Sequence, residues 1–205
     1  MPSPIHILTH LRCNKKFGVI APHKPVLMLA ILEAYRRGLL KSNRVAISPE
    51  LVALFKQIWA QLAITTHQPN MSYPFYHLTG DGFWTLIPRT DVEVVQLLGS
   101  KAKNLATLDA AVDHAVIRQD VAEWMLDANR NELLEQALLD TYFPTTSYRF
   151  EPQADLPDLT TPIQKQLLET SAYEYREQIK IYMAAEDGEG IYLRCATFKR
   201  LIPQI

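Results

Sequence analysis

The chain has 205 residues, 48% of them hydrophobic and 21% charged, with 21 basic and 22 acidic side chains and a formal net charge of −1. A sequence this apolar buries a real core, which excludes disorder over most of its length, and no run reaches the roughly 20 apolar residues that span a bilayer. Cys13 and Cys195 are too few and too far apart for a disulfide scaffold or a Cys-rich zinc site built by this chain alone, and the amino terminus has no secretory leader, so a cytoplasmic protein is expected.

The spacing of Ile5, Leu8 and Leu11 predicts a short helix over 5–11 that leads into the basic loop Arg12-Cys13-Asn14-Lys15-Lys16. Next comes Ala21-Pro22-His23-Lys24-Pro25 and the run Val26-Leu27-Met28-Leu29-Ala30-Ile31-Leu32, read as a helix starting at Pro25. Apolar on nearly every side, it is expected to be the element the fold packs around. It ends near Gly38, after Arg36 and Arg37. At its start, unpaired backbone N–H groups and the positive end of the helix dipole favour an anion, and His23 and Lys24 add two side-chain donors. Without a ligand, the same fragment reads as a proline-bracketed helix start with a capping histidine and a solvated lysine.

Charge sharpens that choice. Residues 1–44 carry eight basic residues against the single acid Glu33, a formal +7, which leaves −8 for the remainder. Such a bipolar distribution suits a polyanion on the amino-terminal side, although solvated faces look alike.

Arg44 to Ile47 reads as a brief extended piece. Ser48-Pro49-Glu50 then starts a helix whose stripe is Leu51, Leu54, Phe55, Ile58, Trp59 and Leu62. After a polar loop over 65–73, the aromatic runs 74–79 and 83–87 flank Gly80-Asp81-Gly82 and are expected to form a β-hairpin, with Tyr73-Pro74 as a turn before its first strand. Asp81 alone gives no coordination set, so no metal is expected there. Helical patterns follow over 92–98, 105–116, 121–126 and 129–142, and the acids Glu123, Asp127, Glu132 and Glu135 read as a solvated face rather than a catalytic pair. Pro144 ends the last helix. Four prolines over 144–162 mark a linker or an extended strap, followed by a helix over 163–183, a turn at 187–190 and a strand at 191–195.

Ala-Pro-His-Lys-Pro at 21–25, Tyr-Pro-Phe-Tyr-His-Leu at 73–78, Asp-Gly-Phe-Trp at 81–84 and Leu-Leu-Asp-Thr-Tyr-Phe-Pro at 138–144 together resemble the sulfur-binding domain of bacterial HNH restriction endonucleases that target phosphorothioate-modified DNA. The resemblance covers about residues 1–145, and the tail over 193–205 is similar to the segment that leads into the HNH nuclease of such proteins. It implies a recognition domain over 1–145 and a linker with a helical and strand segment over 146–205, truncated before the nuclease that would hold the divalent metal. The expected architecture is mainly α with a small β-hairpin.

Carried over by residue, the resemblance implies that His23 and Lys24 contact the modified phosphate and that Tyr73 and Pro74 line a small apolar pocket for sulfur. His77 stands where some relatives have a small residue in the pocket wall. Arg12, Lys15, Lys16 and Asn70 would supply supporting DNA contacts. The family often has arginine in place of Lys24, and lysine keeps the charge but loses the bidentate fork. A non-bridging sulfur is larger, softer and less hydrated than oxygen, so an apolar rim accepts it at lower desolvation cost.

The implied partner is double-stranded DNA with phosphorothioate linkages, without a cofactor or chemistry in this chain and with a homodimer conceivable for the full-length protein. Two other classes stay open on the residues alone. One is an acid–base hydrolase using His23, His77 and a carboxylate. The other is a helical interaction adaptor that uses the acidic half and has no nucleic-acid affinity.

Overall fold

The structure, a computed structural model, describes residues 2–16, 19–89 and 104–151. Helix α1 (Pro4–Thr9) is capped by Ser3, whose side chain accepts from the His6 amide. A two-residue antiparallel ladder, β1 (Lys15–Lys16) with β2 (Val19–Ile20), follows. Helix α2 (His23–Arg36) begins two residues earlier than Pro25, which sits in its first turn where a missing N–H costs nothing. Every residue from Lys24 to Tyr35 is buried, as an all-round apolar helix requires. Gly38, at φ +70, closes it by donating its amide to the Tyr35 carbonyl.

Helix α3 (Pro49–Leu62) starts as Ser48-Pro49 predicts, with the Ser48 hydroxyl accepting from Leu51 N at 3.2 Å. It packs along α2 and buries the whole expected stripe.

Two sequence expectations fail here. The first run of the supposed hairpin is a helix, α4 (Ser72–His77), continued by a 3₁₀ turn at Leu78–Asp81 that Gly82 ends at φ +79. Its aromatic residues follow helical rather than strand spacing: Ser72, Phe75 and Leu78 point inward, while Tyr73 and His77 share the exposed side. Asn70 Oδ1 starts the turn by accepting from Ser72 N at 3.0 Å and Ser72 Oγ at 2.6 Å. Only the second run is a strand, β4 (Trp84–Pro88).

The expected helix over 105–116 also divides. Helix α5 (Leu105–Ala111) passes directly into strand β5 (Val112–Ile117), where β-branched Val112, Val116 and Ile117 suit a pleated surface. β5 lies between β3 (Arg44–Val45) and β4, antiparallel to both, in register Val45 with Ala115 and Leu86 with Ala115.

Helices α6 (Gln119–Leu126) and α7 (Ala128–Tyr142) complete the body, α7 against α1 and α2. Asn131, 3% exposed, donates to the carbonyls of Leu32 and Met125 and ties α7 to the central helix. Glu135 departs from the expected solvated face: it is buried and accepts from Arg36, which also donates to Glu33. Asp127 is the α7 cap, accepting from Arg130 N.

The chain does not leave the body at Pro144. Thr146 is buried and donates to the Leu62 carbonyl at 2.9 Å, and a 3₁₀ turn spans Ser147–Arg149. The elements predicted over 92–98 and beyond 151 lie outside the described residues. The architecture is thus mainly helical with a small three-stranded antiparallel sheet, and no described helix is long and apolar enough to cross a membrane.

Candidate nucleic-acid interface

The start of α2 is the focus of an aromatic cluster. The His23 ring lies 4.6 Å from that of Trp59, 5.5 Å edge-on from His67 and 6.2 Å edge-on from Tyr73. Three elements converge there: α2 supplies His23, α3 supplies Trp59, and the loop and first turn of α4 supply His67 and Tyr73. Trp59 is 7% exposed and forms the floor, whereas Tyr73 keeps 36% of its surface open. Pro74 is buried beside it in the first turn of α4.

The tautomer of His23 follows from one contact. Nε2 is 3.1 Å from the Gln68 carbonyl oxygen, which can only accept, so Nε2 carries the proton and Nδ1 is the bare nitrogen of the neutral ring. Burial holds the His23 pKa below its ordinary value; the Gln68 bond opposes this, and the nearby His67 adds to the lowering. His77 is exposed, its ring 5.2 Å from Tyr76, and burial followed by the Lys24 charge lowers its pKa.

Lys24 does not extend into solvent. Its Nζ donates to Asp81 Oδ2 at 2.6 Å and to the Arg12 carbonyl at 2.8 Å, while Asp81 Oδ1 accepts from Arg12 N at 2.7 Å. The three residues form a closed ring of hydrogen bonds that fixes the backbone of the basic loop. Cys13 in that loop is a half-buried thiol that desolvation pushes up to about 11, so it is inert near neutral pH.

The amino-terminal charge is consequently smaller in effect than its count. Lys24 faces Asp81, Arg36 faces Glu33 and Glu135, and Arg37 faces Glu33. Arg12, Lys15, Lys41 and Arg44 are exposed, and Lys16 is in β1 paired with Val19. Asn70 uses its side-chain oxygen to start α4.

The structure therefore brings His23 and Tyr73 together, with Pro74 next to Tyr73, and engages Lys24 with Arg12 and Asp81 instead. The sequence reading assigned Trp59 to a core stripe and His67 to a polar loop. It weighs Asp81 only as a metal ligand and sets that role aside, and so misses that both carboxylate oxygens are engaged by Lys24 and Arg12. Neither His23 nor His77 hydrogen-bonds a carboxylate among the described residues.

A family model described as "ScoMcrA-like, DNA sulfur-binding domain" matches residues 4–149, which spans α1 through the last 3₁₀ turn. No curated protein matches the chain.

Proposed function

The chain belongs to the ScoMcrA-like DNA sulfur-binding domain family, and from that premise we propose that it reads phosphorothioate linkages in double-stranded DNA and directs a linked HNH nuclease to them, without chemistry of its own. In this reading Tyr73 presents apolar surface to the sulfur, Pro74 backs it from the first turn of α4, and His23 meets the same linkage from the start of α2. His77, one helical turn along from Tyr73, borders the notch. Arg12, Lys15 and Lys16 attract the backbone whether or not it carries sulfur, and Lys24 acts through Arg12. The observation that carries the reading is the family match together with a half-open tyrosine and a buried tryptophan that both lie against the His23 ring at a helix start.

Contact with ~30 to 50 Å² of apolar surface contributes on the order of 1 kcal/mol, about fivefold. Stronger discrimination comes from oxygen, whose hydrogen bonds to water an apolar notch cannot replace. The test is binding of the chain to one duplex with and without a single phosphorothioate, at fixed and stated salt, because the backbone term varies steeply with ionic strength. Tighter binding of the modified duplex is the expected result; equal binding would overturn the reading.

A further inference from the structure

We propose that Gln68 reads a base edge beside the modified linkage, an inference that rests on the function proposed above. The Gln68 backbone is held at its carbonyl, which accepts from Asn70 N at 2.8 Å and from His23 Nε2 at 3.1 Å. Upstream, His67 N donates to Thr65 Oγ1 at 3.2 Å, and downstream Pro69 fixes its own φ. The loop is therefore ordered without DNA, and little conformational freedom is lost when it docks.

From this anchored backbone the Gln68 side chain projects as an exposed amide with no hydrogen bond to any described residue. The other amide of the loop, on Asn70, already serves Ser72. A neutral amide is a weak phosphate ligand. It carries a donor and an acceptor side by side, however, the pattern a base edge presents in the major groove and a phosphate does not.

Position supports the same assignment. The ring that takes the Gln68 carbonyl also stands 6.2 Å from Tyr73, so reading amide and sulfur notch share one support. Nucleotides follow each other at about 3.4 Å along a strand, so an amide on a loop bonded to the ring beside the notch is expected to meet a base within about two pairs of the sulfur.

The test is competition binding with a panel of duplexes carrying one phosphorothioate, the flanking pairs varied one at a time. A good amide-to-base pair discriminates by about 5-fold to 100-fold. The parent chain should show a preference of that size at one position within two pairs of the sulfur, and Gln68→Ala should flatten it while keeping the sulfur-to-oxygen ratio. Gln68→Glu, which can only accept, should move the preference toward a pair that offers a donor. A flat profile for the parent, or an unchanged profile in either variant, overturns the inference. Failure of the underlying function has a different signature: the parent would then bind modified and unmodified duplexes equally whatever the flanking pairs.

Discussion

Lys24 Nζ lies 2.6 Å from Asp81 Oδ2, and the two side chains are 11% and 3% exposed. The pair joins the first turn of α2 to the end of the 3₁₀ turn after α4, 57 residues along the chain. Its three hydrogen bonds satisfy both carboxylate oxygens and fix Arg12 at its N–H and its carbonyl.

Removing one member of a buried ion pair leaves the other uncompensated, at a cost of about 3 to 5 kcal/mol. Asp81→Ala and Lys24→Met should each lose stability on that scale in urea unfolding. The double variant Lys24→Met, Asp81→Leu should regain a good part of it, since no orphan charge remains. Single variants as stable as the parent would mean that the ring of hydrogen bonds does not hold the loop.

The salt dependence of DNA binding separates Lys24 from its neighbours. Each exposed cation that displaces a counterion contributes a slope of about 0.9 in log K against log salt. Arg12→Ala and Lys15→Ala should each flatten the slope by about that amount, and the Lys24, Asp81 double variant should leave it unchanged. A drop of one unit in the double variant would mean that the Lys24 ammonium leaves Asp81 for a phosphate in the complex.

Tyr73→Ala should weaken binding to modified DNA by about 1 to 2 kcal/mol and leave the weak affinity for unmodified DNA nearly constant, moving the ratio toward one. Tyr73 is 36% exposed, so its truncation should cost far less stability than that of a fully buried aromatic, and a thermal melt checks this. A folded variant that discriminates as well as the parent would place the sulfur notch elsewhere.

His23 gives two pH effects of opposite sign. Its pKa is lowered in the folded protein, so between the ordinary histidine value of about 6.5 and the folded value the unfolded chain binds more protons; the His23 contribution to stability is present above about 6.5 and is lost as pH falls through that window. DNA binding should move the other way. Nε2 is engaged with Gln68, so a phosphate oxygen can accept from His23 only once Nδ1 is protonated, and affinity should rise as pH falls from 7.5 to 5.5. Both trends should shrink in His23→Gln, measured by urea unfolding and by titration at each pH. His67, edge-on to the same ring, and His77, near Lys24, call for matched single variants as controls.

Local chemistry made part of this legible in the sequence. Ser48-Pro49 and the unbroken apolar run after Pro25 are short-range signals, and they located α3 and α2. The hairpin reading failed because aromatic spacing in six residues suits a strand or a helix, and the choice is made by Asn70 on one side and by a buried bond from Trp84 Nε1 to the Phe75 carbonyl on the other. Val112 to Ile117 follow an alanine-rich helix without a break, and only the neighbouring β3 and β4 draw them into a sheet.

At the site, His23 and Tyr73 stood out by motif, but a count of charges is blind to pairing, so the inward turn of Lys24 could not be seen. Asp81 was hidden for the same reason: two flanking glycines describe its backbone, and its partner is 57 residues away.

The consecutive amides of Leu11 and Arg12 are held from opposite ends of the fold, Leu11 N by the Tyr142 hydroxyl at 2.9 Å and Arg12 N by Asp81 at 2.7 Å, across separations of 131 and 69 residues. Closures this long come late in folding, because chain entropy is lost before the contacts form. The start of the basic loop, although made first, is thus secured at Leu11 only when α7 has docked. During synthesis, a chain that has emerged through α6 can already bury α2 against α3 and still lack the hydroxyl that fixes Leu11. In the finished protein the Leu11 amide should remain protected from hydrogen exchange only while the far end of α7 stays in place, whereas the Arg12 amide answers to Asp81.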